Sequence, residues 1–172
     1  IVEGMPVGDV AGSAPGDVWE SFSFPARLGE VGNGNWFVAA DVRDAVSNEI
    51  ESVIVLNGEL ALREGDVVPS RLGFVQLSSP GRDVAANVDG DVASTWQVTQ
   101  TIDGQPTGVG FSGAALIVNG RAVLLEDDLL DFNDDGVVDA ADGGARFADL
   151  TLQSLGGDAL AIGPRDSAGV FE

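Results

Sequence analysis

Apolar and polar residues alternate along this chain in short runs, and each run is closed by glycine, asparagine or proline. The clearest are Val53-Ile54-Val55-Leu56, Asn57-Gly58 and Glu59-Leu60-Ala61-Leu62. A second set has the same form: Ala115-Leu116-Ile117-Val118, Asn119-Gly120 and Arg121-Ala122-Val123-Leu124. A period of two places successive side chains on opposite faces of a strand. Asn-Gly between two such runs predicts a tight β-hairpin, because a type I′ turn requires positive φ at both central residues. The alternation over residues 54–62 buries one face, whereas residues 115–125 are apolar enough to be covered on both. Residues 19–24 and 35–42 read as two further strands, and the glycine-rich stretch 104–113 as a long connection between strands. The expected fold is all-β and antiparallel, with little helix.

The patterns recur. Ile1-Val2-Glu3-Gly4-Met5-Pro6-Val7 is matched 61 residues on by Leu62-Arg63-Glu64-Gly65-Asp66-Val67-Val68. That junction is matched 62 residues further by Leu124-Leu125-Glu126-Asp127-Asp128-Leu129-Leu130. Gly34 with residues 36–42 aligns with Gly90 and residues 92–98 at an offset of 56. Leu152, Asp158, Ala161, Asp166 and Phe171 match Leu77, Asp83, Ala86, Asp91 and Trp96 at an offset of 75. These spacings divide a single β-repeat domain, 1–172, into antiparallel tandem units of about four strands at about 1–62, 63–124 and 125–172. The units form a β-sandwich or resemble propeller blades; fewer than three complete units cannot close a propeller of at least four blades. The third unit stops short of its Asn-Gly hairpin. A longer array, a closed ring and strand exchange between molecules each account for that.

Between the third junction and the strands after it, the offset grows from 62 to 75, which is room for one insertion at about 129–143. It contains Asp131-Phe132-Asn133-Asp134-Asp135-Gly136-Val137-Val138-Asp139-Ala140-Ala141-Asp142. Oxygen side chains at loop positions one, three, five, nine and twelve, with glycine at six, are the layout of an EF-hand calcium loop. Asp131, Asn133 and Asp135 supply side-chain oxygens, Val137 its carbonyl, Asp139 a direct or water-mediated contact, and Asp142 the closing carboxylate. The alternative is an acidic surface turn that binds nothing. Closure on aspartate, followed by a short helical turn Ala145-Arg146-Phe147-Ala148-Asp149-Leu150, resembles a dockerin-type calcium segment. Dockerins pair two segments to bind cohesin, and one is found here, so cohesin binding is not implied. The tandem units with Arg63-Glu64-Gly65-Asp66 at their junction are similar to repeat proteins of unknown function among secreted bacterial proteins. That resemblance implies a β-repeat fold and no activity.

Composition narrows the chemistry. Of 172 residues, 28 are acidic and 8 basic, a formal net charge of -20 that repels nucleic acid and anionic membranes. All basic residues are arginine, and histidine, lysine, cysteine and tyrosine are absent. Ser-His-Asp and Cys-His catalysis, imidazole or thiolate zinc sites, disulfides, a P-loop and Schiff-base chemistry drop out with them. No apolar run is long enough to span a membrane, and Ile1 opens without a signal-peptide pattern, as in a processed form or a fragment. A loop of this type suits the calcium concentration outside cells, so the expected location is extracellular or at the cell surface. Adaptation to high salt is a second origin for the charge. Trp19, Trp36 and Trp96 occupy apolar strand positions and are expected in the core rather than on a sugar-stacking platform. Glu126-Asp127-Asp128 reads as a solvated turn before a feeder of a second ion. Paired carboxylates can hydrolyse glycosides, but no pair here is set apart in an apolar cleft. The expected function is non-enzymatic: a calcium-stabilised extracellular structural protein assembling with itself, through sheet edges or strand exchange, into a fibre or surface layer. The alternative is a module that binds polysaccharide or a cell-surface protein.

Overall fold

The computed structural model describes residues 4–8, 10–22, 27–32, 34–87, 89–102, 105–106, 110–129, 137, 150–155 and 159–164. Its strands are β1 (Val18–Ser21), β2 (Arg27–Gly32), β3 (Asn35–Arg43), β4 (Ile50–Leu56), β5 (Glu59–Arg63), β6 (Val67–Ser70), β7 (Gly73–Ala86), β8 (Val92–Ile102), β9 (Gln105–Pro106), β10 (Ser112–Val118), β11 (Arg121–Leu125), β12 (Leu150–Leu155) and β13 (Ala159–Pro164). No helix occurs among the described residues, and all strand pairs are antiparallel. Leu150, expected at the end of a helical turn, is instead the first residue of β12; residues 145–149 lie outside the described residues.

The first sheet lays β1 and β2 one after the other along β3, then adds β4 and β5. The second runs β6-β7-β8-β10-β11, with β9 folded back on β8. It curls into a half-barrel, bringing β11 up to β6. β12 and β13 form a separate hairpin whose first strand runs beside β7. Two features depart from the sequence expectation. β2 adds a strand after β1, and β8 continues to Ile102 and returns through β9, inside the stretch read as a plain connection.

Register shifts at Leu77/Ser79 and Pro80/Val84 bend β7, which lets a fourteen-residue strand follow the curl. Pro80, with no N–H for the ladder, sits at the second of these shifts. The strict alternation of β3 and β4 feeds two cores. Phe37, Ala39 and Ile54 pack between the large sheets with Leu77, Trp96, Val98, Ala115 and Ile117. Val38, Ala40, Val42, Val53 and Val55 pack on the far side with Trp19 and Val7. β10 is buried on both faces: Ala115 and Ile117 enter the central core, and Leu116 joins Ala85 and Ala93 on the outer side of the second sheet.

Candidate functional site

Asp131, Asn133, Asp135, Asp139 and Asp142, the expected side-chain ligands of a calcium loop, lie outside the described residues. Val137, expected to offer its carbonyl, is described and is 56 % exposed. The loop is entered from a turn that closes β11. There Leu125 N–H donates to Asp128 Oδ2 (2.9 Å) and Asp128 N–H to Leu125 O (2.9 Å). Glu126 N–H donates to Ala114 O (2.7 Å), while Glu126 Oε2 accepts from Ala114 N–H (2.8 Å). The other oxygen of Asp128 meets Arg71. Burial pushes the Asp128 carboxyl up, but the Arg71 and Leu125 hydrogen bonds outweigh it and hold the group below its ordinary 3.8. Glu126 and Asp128 are thus occupied in closing the turn, and Asp128 is largely covered rather than solvated.

Sixty-two residues earlier the same bonds close β5. Arg63 N–H donates to Asp66 Oδ2 (2.7 Å), Asp66 N–H to Arg63 O (3.0 Å), and Glu64 N–H to Ser52 O (2.8 Å). Glu64 Oε2 accepts from Ser52 N–H (3.3 Å). The next contacts of this turn also have counterparts nearer the start of the chain. Gly65 N–H donates to Leu77 O (2.8 Å) as Gly4 N–H does to Trp19 O (2.6 Å). Leu77 N–H donates to Asp66 O (2.9 Å) as Trp19 N–H does to Met5 O (2.9 Å). The turn requires one residue with positive φ, supplied by Gly4 (77°), Gly65 (91°) and Asp127 (69°), side chains the left-handed region tolerates best.

Asn57 and Asn119 turn their hairpins with φ of 52° and 48°. Each also pins its hairpin to the neighbouring strand. Asn57 Oδ1 accepts from Trp36 N–H (2.9 Å) and Asn119 Oδ1 from Val92 N–H (2.9 Å). Their Nδ2 groups donate to Asn35 (2.9 Å) and Asp91 (2.7 Å). Both hairpins carry a register shift at the same place, between Ile54/Val55 and between Leu116/Ile117.

The sequence pattern did not disclose a hub at Arg63. Its guanidinium meets Glu51, Asp44 (2.8 Å) and Asp17 (3.4 Å), residues 12, 19 and 46 positions away. Asp17 is 2 % exposed, and its oxygens also accept from Ala14 N–H (3.0 Å) and Ala45 N–H (3.0 Å). The available signal was one arginine in a junction surrounded by acids, but nothing local says which acids. Beside the hub lies an open cleft of about 570 Å³ lined by Arg43, Glu49, Ile50, Glu51 and Glu64. Burial, then the charges of Glu51, Asp41 and Glu49, push Glu64 above its ordinary 4.5 against the Ser52 hydrogen bond. Glu64 Oε2, bonded to Ser52 N–H, forms part of the cleft wall where the turn closes. Trp19 and Trp96 are taken up by the cores, and Trp36 is half-buried against the first sheet's outer core.

No protein-family model, curated protein or solved structure matches the chain.

Proposed function

We propose that the chain is a non-enzymatic structural module of tandem, blade-like β-repeats, braced by calcium and working outside the cell. It assembles with copies of itself through sheet edges into a fibre or surface layer. The observation that carries the repeat in this reading is the way the two large sheets meet. The second sheet turns Leu77, Trp96, Val98, Ala115, Ile117 and Ala122 toward the first. The same lanes and register of the first sheet hold Trp19, Ala40, Val42, Val53, Val55 and Leu60, which lie on its far side. What the first sheet turns inward is its other face, Phe37, Ala39, Ile54 and Leu62. Sheets of matching pattern joined through non-matching faces make a heterologous contact, the kind by which tandem units stack. Edges support the same reading: among the described residues, β2 pairs with β3 alone and β12 and β13 only with each other.

The calcium loop fits this scheme as a brace. Its donors are all oxygens, the set a hard cation takes, and it joins the third junction turn to β12. Negative-stain microscopy of the native protein, with and without chelator, tests the proposal. Filaments that loosen in chelator are the expected result; discrete monomers under both conditions would refute assembly and move attention to a binding module.

A further inference from the structure

The far face of the first sheet is covered by a strap, residues 10–17. In the second sheet the corresponding stretch stays in the sheet plane. There Val67 pairs with Gln76, and β6 and β7 go on pairing to Ser70 and Gly73. In the first sheet the matching bridge, Pro6 to Val18, is made, but the chain then leaves the plane. It crosses the face so closely that Val10 and Ser13 enclose, with Val42, Val53, Val55 and Leu60, a gap of only about 10 Å³. That is at the limit of what one water needs.

The strap is fixed at two places. At the start of β5, Ala11 N–H donates to Gly58 O (2.9 Å) and Leu60 N–H to Ala11 O (2.8 Å). At its far end, Asp17 receives Ala45 N–H from the β3–β4 turn and the guanidinium of Arg63 at the close of β5. Gly12 and Gly16 have φ of 94° and 99°, and a β-carbon at either would stand 3.1 Å from Leu60 Cβ or 3.0 Å from Ala45 Cβ. The strap lies flat because these positions carry no side chain.

We propose that residues 10–17 are a cap over a sheet-stacking surface, and that the occupant they exclude is a second copy of this chain. The inference rests on the stacking reading above. The covered face has the pattern that, in the second sheet, docks against another sheet. In the first sheet the strap takes the neighbour's place, so stacking stops there.

The test uses the full chain carrying Gly12→Val and Gly16→Val, which lift the strap and leave the face intact. Light scattering under conditions where the wild type is monodisperse should show at least a twofold higher mean mass, rising with concentration. Leu60→Glu, at the rim of the face, should return that variant to the wild-type mass. A variant with wild-type circular dichroism and red-shifted tryptophan emission, yet wild-type mass at every concentration, overturns the proposal. Should the double variant not fold, Asp17→Asn decides. Faster exchange of the Ala11 and Leu60 amides together with association supports the cap, and faster exchange in a monomer overturns it. Wild-type filaments with inert strap variants leave edge assembly standing and remove the cap. Associating strap variants of a wild type that never forms filaments do the reverse.

Discussion

Asn119 does two jobs at once, and its substitution separates them. The residue holds φ at 48°, receives Val92 N–H at 2.9 Å and donates to Asp91 at 2.7 Å. Asn119→Ala removes both hydrogen bonds and leaves a part-buried N–H without its partner, a loss of about 1–3 kcal/mol. It also places an alanine in the left-handed region, adding about 1 kcal/mol. The expected destabilisation is about 2–4 kcal/mol, or roughly 4–16 °C in melting temperature for a chain of this size. Asn119→Gly keeps the backbone conformation and loses only the bonds, so it should cost less than alanine. Asn57→Ala breaks the matching bonds to Trp36 and Asn35, which are exposed, and should fall below Asn119→Ala. Urea unfolding of the three variants, with unchanged m-values, measures the order. The Asp91 carboxyl gives an independent reading: hydrogen bonds from Asn119 and then Asn87 hold it below 3.8, so in Asn119→Ala its NMR titration should move upward. An Asn119→Ala protein within about 0.5 kcal/mol of wild type, a shift typical of unremarkable surface changes, would refute the argument. So would a glycine variant as damaged as alanine.

Leu116 is fully buried on the outer face of the second sheet, so Leu116→Ala should cost about 2–5 kcal/mol in chemical denaturation, and a loss under 1 would mean that face is poorly packed. Arg63→Met leaves Asp17 buried without its cation and should destabilise by about 3 kcal/mol; adding Asp17→Asn should recover part of that loss, and strict additivity would show the pair is not coupled. Glu64 binds its proton more tightly in the fold than in the unfolded chain, because burial and then neighbouring acids raise its pKa. Its ionised form therefore opposes folding at neutral pH, and stability is gained as pH falls through the raised pKa toward 4.5. Glu64→Gln should melt higher than wild type at neutral pH and lose that advantage on acidification; a pH-independent difference would contradict the assignment. Asp44 works in the opposite sense: hydrogen bonds from Ser47 and Val46 N–H depress its pKa, so its contribution is present above 3.8 and lost as pH falls through the lower folded value. With free calcium 100-fold above its Kd, the ion should add about 2.7 kcal/mol, and Asp131→Ala or Asp142→Ala should remove most of it; a melting temperature indifferent to chelator would show that the loop is empty or uncoupled from the core.

Much of the local structure was legible in the chain. The Asn-Gly turns at 57–58 and 119–120 follow from φ requirements that few residues meet, so the hairpins β4–β5 and β10–β11 could be placed from sequence. The burial of Trp19 and Trp96 was readable from their apolar strand neighbours. β2 and β9 were not, because residues 27–32 carry two glycines and β9 is only two residues long, and neither shows a period-two run. The candidate calcium ligands rest on spacing alone, since a loop that wraps one ion would be a local constraint. The roles of Glu126 and Asp128 in the preceding turn needed the backbone geometry, because an acidic triplet looks the same whether it meets solvent, an ion or an N–H.

The sequence by itself determined that the chain is built of antiparallel strands, where its Asn-Gly hairpins turn, and which residues share a face of those strands. Those are consequences of backbone sterics and of a side-chain period of two, both settled within a few residues. Tertiary structure alone decided what each face meets. Hydrophobic burial is non-directional, so the alternation of β3 predicts two apolar faces without saying that one takes the second sheet and the other the strap. It alone gathered Asp17, Asp44 and Glu51 around Arg63, for those charges become neighbours only when β3, β4 and β5 line up and residues 10–17 cross their face.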